Sequence, residues 1–324
     1  MSKNKKMKIV YCGCGKFGTD SLNAIKASSH TLAHIITHPA KQAGRGQKLR
    51  PNDIEQWAIE NNVHFSAIED INSQTGIELL KKLAPDLLIV IAFGQKISPE
   101  IIKIPPKGAI NVHGSLLPKY RGAAPINWAI INGEKITGIS IITLAQTMDG
   151  GEILATADLK IADDDTAGDI HDALAKIAAP VLIDTIDKIA NGSAEYKKQD
   201  NSKTTKAPKL SKTTGFLDFA DSAQKIHNKV RGLCPWPGAS ATFVNAQTEK
   251  KINTIIAKTQ IVSTDDKNDN FGRIDENSNI LCGTGTIKII ELKPQGGKIM
   301  DIKSFLNGRG SGKGDYFTSP ESDV

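Results

Sequence analysis

The run Asp86–Phe93 (DLLIVIAF) does most to limit the folds open to this chain. It is strand-sized and apolar at odd and even positions alike, so a strand made from it must be covered on both faces. Lys8–Cys12 (KIVYC), Leu32–Thr37 (LAHIIT) and Ala109–His113 (AINVH) read as further strands. Helical segments fall near Asp53–Asn61, Gly76–Leu83 and Pro125–Ile131. Strand alternating with helix predicts α/β architecture: a Rossmann-like, mostly parallel sheet with helices on both faces. In such sheets ligands bind beyond the carboxyl ends of the strands.

One of these strands carries an anomaly. Asn111 and His113 are polar and two residues apart, so they share a face. A buried polar pair is costly unless it is satisfied or used, and a hydrogen-bonded core pair is the plain alternative. A loop containing Gly and Pro follows at once. Gly138–Leu144 (GISIITL) reads as another strand, and Gln146–Gly151 (QTMDGG) as a tight turn holding Asp149. All three residues are expected at the carboxyl ends of strands or just past them. An Asp near a His fixes its tautomer and favours its cationic form. Together Asn, His and Asp can polarise a carbonyl and move protons. None is a strong nucleophile, so the expected chemistry is direct transfer between two bound substrates.

Gly13-Cys14-Gly15-Lys16-Phe17-Gly18 fits G-x-G-x-x-G directly after the first strand. A dinucleotide site also needs an acid at the end of the second strand, and Thr37–Ala43 supplies none. A close strand-to-helix turn is the better reading, and an NAD(P)-dependent oxidoreductase is set aside. His30, His34, His38, His64, His171 and His227 form no metal-ligand spacing and read as structural or surface residues.

A long helix from about Asp165 to Ala190 starts at a capping-box-like Thr166/Asp169 pair and ends at Asn191-Gly192. The polar, lysine-rich stretch after it reads as a linker. A short helix around Ser222–Arg231 precedes β-like runs at Ala241–Val244, Ile252–Ile256, Gly272–Ile274, Ile280–Cys282 and Ile287–Leu292, a pattern that suggests a small β-barrel.

The length, 324 residues, suits about two domains. Four scattered cysteines make no disulfide framework, and Cys12-x-Cys14 has no second pair to complete a zinc site. No apolar run is long enough to span a membrane, and the basic N-terminus leads into a strand rather than a signal-peptide core. A cytoplasmic location is expected. The net charge of +6 is compatible with a polyanionic partner without requiring one.

The stretch NVHGSLLPKYRGAAPINWAI, with the next strand and the Asp149 turn, resembles the 10-formyltetrahydrofolate-dependent formyltransferases, above all those acting on methionyl-tRNA. Thr37–Leu49 (THPAKQAGRGQKL) is similar to a flexible loop of that family, and Val230–Ala239 (VRGLCPWPGA) to the entry of its second domain. The likeness covers nearly the whole chain, with three separated motifs in the family's order. The Gly13–Gly18 loop departs from it, since a Thr-Pro usually follows the first glycine there.

The resemblance implies formyl transfer from 10-formyltetrahydrofolate to initiator methionyl-tRNA, without a metal. Asn111 and protonated His113 would donate to the developing oxyanion, and Asp149 would hold His113 and help remove the amine proton. Ser115, Leu116, Leu117 and Pro118, with Val90, Ala92, Phe93 and Gly94, would line the folate site. Arg45, Lys48, Lys206, Lys209 and Lys212 would hold the tRNA. The implied organisation is a catalytic domain over 1–191, a basic linker over 192–212 and an OB-like, tRNA-binding barrel over 213–324, acting as a monomer. A formyltransferase for amino sugars or small amines would use the same trio but would need neither the AGRG loop nor the barrel. A pure RNA-binding module would not need the trio.

Overall fold

The computed structural model describes residues 5–43, 48–309, 312 and 314–321. The chain divides into two compact units. One comprises Met1–Pro125, Ile136–Lys160 and His171–Pro208; the other comprises Ile126–Lys135, Ile161–Ile170 and Lys209–Val324.

The first unit is built on seven strands: β1 (Lys8–Gly13), β2 (Thr31–Thr37), β3 (Phe65–Ala67), β4 (Leu87–Ile91), β5 (Ala109–His113), β6 (Ile136–Thr143) and β7 (Ile153–Lys160). Their order across the sheet is β7-β6-β5-β4-β1-β2-β3. Strands β1 to β5 pair in parallel. β6 runs antiparallel to β5, and β7 antiparallel to β6. β4 is buried at every position, as its unbroken apolar sequence requires. On one face Val10, Cys12, Ile36, Leu88 and Val90 pack against Ile77 and Leu80 of the helix Gln74–Leu83. Residues of alternate parity, among them Ile9, Tyr11 and Ile35, are equally buried. Each such side chain contributes about 1.5–3 kcal/mol. Helix starts are capped as their sequences suggest: Asn52 accepts from the Ile54 and Glu55 amides, and Ser73 from that of Gly76.

The glycines of Gly13–Gly18 serve packing. A Cβ at Gly18 would lie 1.7 Å from the Tyr11 hydroxyl, and one at Gly13 would lie 2.7 Å from it. Strand β7, like the three-residue β3 at the opposite edge, is not anticipated by the sequence reading. It is an edge strand with alternating exposed residues, Asp158 and Lys160 in its second half, so it lacks the double-sided apolar signature of the centre.

Most of the polar stretch 192–212 is tied to this unit. Lys197 exchanges both backbone hydrogen bonds with Ile153. Lys206–Ala207 pairs in parallel with Arg121–Gly122. The Arg121 guanidinium donates to the side-chain oxygens of Gln199 and Asn201. The stretch therefore has more structure than a linker.

The second unit holds β8 (Ala239–Val244), β9 (Lys251–Lys267), β10 (Ile280–Leu281), β11 (Thr284–Pro294), β12 (Met300–Asp301) and β13 (Tyr316–Thr318). They pair antiparallel in the order β10-β11-β9-β8-β13, with β12 on β11. Gly272–Ile274, expected as a strand, forms isolated bridges instead: Ile274 with Ile280, and Arg273 with Tyr316. These bridges lead the pairing from β10 back to β13. Phe243 meets Phe305 and Phe317 edge-on in the core. The buried Arg231, in the helix Ala223–Gly232, donates to Asn228 Oδ1 and to the carbonyls of Ala162 and Asp165, which gives the VRG of the VRGLCPWPGA motif a structural role. No helix among the described residues is long and apolar enough to cross a membrane.

Candidate active site

β5 ends on His113, on the side of the sheet where β1 and β4 end in the paired residues Gly13 and Ile91. Asn111 is half-buried, and its side-chain amide has no hydrogen-bond partner among the described residues. It is a polar group at the end of an apolar strand with donors free for a ligand. His113 is buried. Its Nε2 donates to the Tyr120 carbonyl at 2.9 Å, which leaves Nδ1 facing Asp149 Oδ1 at 3.7 Å. Donation from Nε2 to an oxyanion would require giving up the Tyr120 bond. Among the described residues the Asn111 amide is unengaged, whereas His113 Nε2 is held by Tyr120.

The route to Asp149 also differs from expectation. β6 runs antiparallel, so its end, Thr143, pairs with Ile110, while Ser140 pairs with His113. Strand order alone would carry Asp149 toward the start of β5. The turn instead folds back, with Asp149 in the left-handed region at φ 51°. Asp149 Oδ2 accepts the Gly122 amide at 2.9 Å. Gln199 Nε2 donates to the carbonyls of Asp149 and Gly151, each at 2.7 Å. Gly151 is required here, because a Cβ would lie 1.7 Å from the Thr143 carbonyl oxygen. Tyr120, whose carbonyl holds His113, is left-handed too, at φ 61°. Such non-glycine residues cost about 1–3 kcal/mol each and persist where their surroundings over-determine them.

The expected folate-lining residues fall in two stretches at the ends of adjacent strands. At the end of β4 and just past it, Val90 and Phe93 are buried while Ala92 and Gly94 are exposed, in left-handed conformation at φ 47° and 77°. After β5, Ser115 and Leu117 are buried and Leu116 and Pro118 half-buried. Several groups of that loop are already engaged. The Ser115 hydroxyl donates to the Lys119 carbonyl, and Ser140 Oγ donates to the Ser115 carbonyl and accepts from the Leu117 amide.

Of the residues expected to meet tRNA, Arg45 lies outside the described residues. Lys48 opens the second strand of a hairpin, Lys41–Ala43 with Lys48–Arg50. Lys206, Lys209 and Lys212 are exposed.

Sequence reasoning missed Tyr120, Gly122, Gln199 and His38. Gln199 carries no pattern that would single it out in a polar stretch. His38 looks unpartnered in sequence, yet its Nε2 lies 2.7 Å from the Phe93 carbonyl and its ring stacks on Phe93 with centroids 5.0 Å apart. Cys14 Sγ donates to the Ala92 carbonyl at 3.1 Å, and half-burial pushes its thiol pKa up. All four cysteines are free.

A family model described as formyl transferase matches residues 5–186, and one for the formyl transferase C-terminal domain matches 209–310. A methionyl-tRNA formyltransferase of Acetivibrio thermocellus is 36% identical over 315 residues, covering 95% of this chain and 99% of the relative. Another, from Ruminiclostridium cellulolyticum, is 37% identical over 311 residues, covering 93% and 96%. Among solved structures, an N-formyltransferase from Helicobacter canadensis with folinic acid and dTDP-3-aminofucose superimposes with a TM-score of 0.63 at 19% identity, over 87% of this chain and 98% of that one. That likeness concerns the fold.

Proposed function

The chain belongs to the methionyl-tRNA formyltransferase family, and from that premise we propose that it moves a formyl group from 10-formyltetrahydrofolate to the α-amine of initiator methionyl-tRNA. The similarity to relatives of that name along the whole chain carries the reading. An Asn111 amide unpartnered among the described residues, on the same face of the strand as His113 with its Asp149 neighbour, supports it.

The neutral amine attacks the formyl carbon. A new N–C bond forms and the carbonyl electrons move onto oxygen. Asn111 donates to that oxyanion, a stabilisation that is large in a partly dry site. The attacking nitrogen must lose a proton. Asp149 Oδ1 accepts no hydrogen bond within the protein among the described residues, unlike Oδ2, and it stands next to His113 Nδ1. The proton is taken there, directly or through one water, and returned to the departing folate nitrogen as the C–N bond breaks. The products are formylmethionyl-tRNA and tetrahydrofolate. No step needs a metal.

Val90, Ala92, Phe93 and Gly94, with Ser115 to Pro118, line the donor site. Arg45, Lys48, Lys206, Lys209 and Lys212 meet tRNA phosphates, with the antiparallel second unit serving as an OB-like tRNA-binding domain. The organisation is a catalytic domain over 1–191, a basic stretch over 192–212 and this domain over 213–324, in a cytoplasmic monomer. The test is formylation by the purified chain of initiator methionyl-tRNA, with elongator methionyl-tRNA and free methionine as controls. Transfer to the initiator alone is expected; transfer to none of them would overturn the reading.

A further inference from the structure

We propose that His38 and Cys14 are positioning residues for the formyl donor, gripping the turn Ala92–Gly94 through two consecutive carbonyls. The inference rests on the reading of this turn as part of the donor site.

The grip begins at the backbone amide of Ile71, just after β3. Ile71 N–H donates to Gln95 Oε1 at 2.9 Å, which fixes the orientation of the Gln95 amide. Gln95 Nε2 then donates to the Glu69 carbonyl at 2.7 Å and toward His38 Nδ1 at 3.3 Å. A carbonyl oxygen only accepts, so His38 carries a proton on Nε2 and donates it to the Phe93 carbonyl at 2.7 Å. Asn52 secures the residue itself, its Nδ2 donating to the His38 carbonyl at 2.8 Å. Cys14 donates to the preceding carbonyl, that of Ala92.

The two bonds fix the turn because a trans peptide aims its C=O and its N–H in opposite directions. Holding the Ala92 and Phe93 carbonyls therefore aims the amides of Phe93 and Gly94 the other way. Neither amide has a partner among the described residues. The turn thus presents two successive donors, the arrangement suited to a carbonyl or amide-like acceptor. Ala92 is held left-handed at φ 47°, a state an alanine leaves readily unless it is pinned. His38 and Cys14 pin it without touching the ligand.

The test uses the full chain with initiator methionyl-tRNA, and binding of the unreactive 5-formyltetrahydrofolate followed by calorimetry. His38→Phe keeps a ring to stack on Phe93 and removes the N–H; Cys14→Ala removes the S–H, and Cys14→Ser restores a donor. His38→Phe and Cys14→Ala are each expected to raise the donor KM and the 5-formyltetrahydrofolate Kd about tenfold, as for one lost hydrogen bond. The KM for methionyl-tRNA should not move, and Cys14→Ser should recover most of the loss. Unchanged donor affinity in both variants and in the double variant would overturn the grip while leaving the proposed activity intact. A wild type that neither binds folate nor formylates would overturn both.

Discussion

The Asp149 carboxylate reaches to 3.7 Å from His113 Nδ1 although the strand leading to Asp149 runs away from His113. The chain pairs Ser140 with His113, moves on to Thr143 beside Ile110, and only then doubles back. A left-handed Asp149, the Gly122 amide and the Gln199 side chain secure that return.

Asn111→Ala removes a side-chain amide that has no partner among the described residues. It should lower kcat about 10²–10³-fold, the size of losing an oxyanion donor, with thermal unfolding unchanged. Single-turnover formylation compared with the melting curve checks it, and wild-type turnover would rule out the role.

Asp149→Asn and Asp149→Ala separate charge from shape. Asparagine tolerates the left-handed region, so Asp149→Asn should keep its melting temperature while losing about a hundredfold or more in kcat. Asp149→Ala should lose that and also about 1 kcal/mol of stability, because alanine fits φ 51° poorly. Denaturant titration beside steady-state kinetics distinguishes the two.

Gln199→Leu cuts both bonds that fold the turn back. We expect kcat to fall about ten- to hundredfold through misplacement of Asp149, with KM for both substrates nearly constant. An unaltered kcat would show that Gly122 suffices to hold the turn.

Gly18→Ala should destabilise by about 1–3 kcal/mol, because its Cβ would meet the Tyr11 hydroxyl. That hydroxyl is buried without a hydrogen-bond partner among the described residues, so Tyr11→Phe should cost little alone and should relieve the clash. The double variant should be more stable than the sum of the single effects implies. Strict additivity in urea unfolding would contradict the packing described.

Half-burial raises the Cys14 pKa, and the thiolate is the reactive form. At neutral pH the thiolate fraction is thus below that of a free cysteine, and it grows only as pH rises through the raised pKa. Iodoacetamide labelling of Cys14, followed by peptide mass in a Cys234→Ser background, should therefore show a rate profile displaced to higher pH than that of free cysteine. A coincident profile would contradict it.

The central strands were legible because physics marks them twice. β4 is apolar at every position, and β1, β2 and β5 end within one residue of where their apolar runs place them. Edge strand β7 lacked that mark. Asn111 and His113 announced themselves as polar residues in an apolar strand. The Asp149 turn was visible as a turn, but its path was not, since nothing in GISIITL tells an antiparallel strand from a parallel one. Gln199 and His38 act through side-chain hydrogen bonds formed across long sequence separations, and such partnerships leave no local pattern.

Gln199 has a consequence for where this protein can be cut. The similarity that delimits the first domain stops at residue 186, and a truncation there would look conservative. It would discard Gln199 and the strand Lys206–Ala207 that backs Arg121–Gly122. The smallest fragment able to keep Asp149 against His113 therefore extends to about Pro208, where the first compact unit ends. A shorter excised domain would retain Asn111, His113 and Asp149 and still lack the brace that makes them one site.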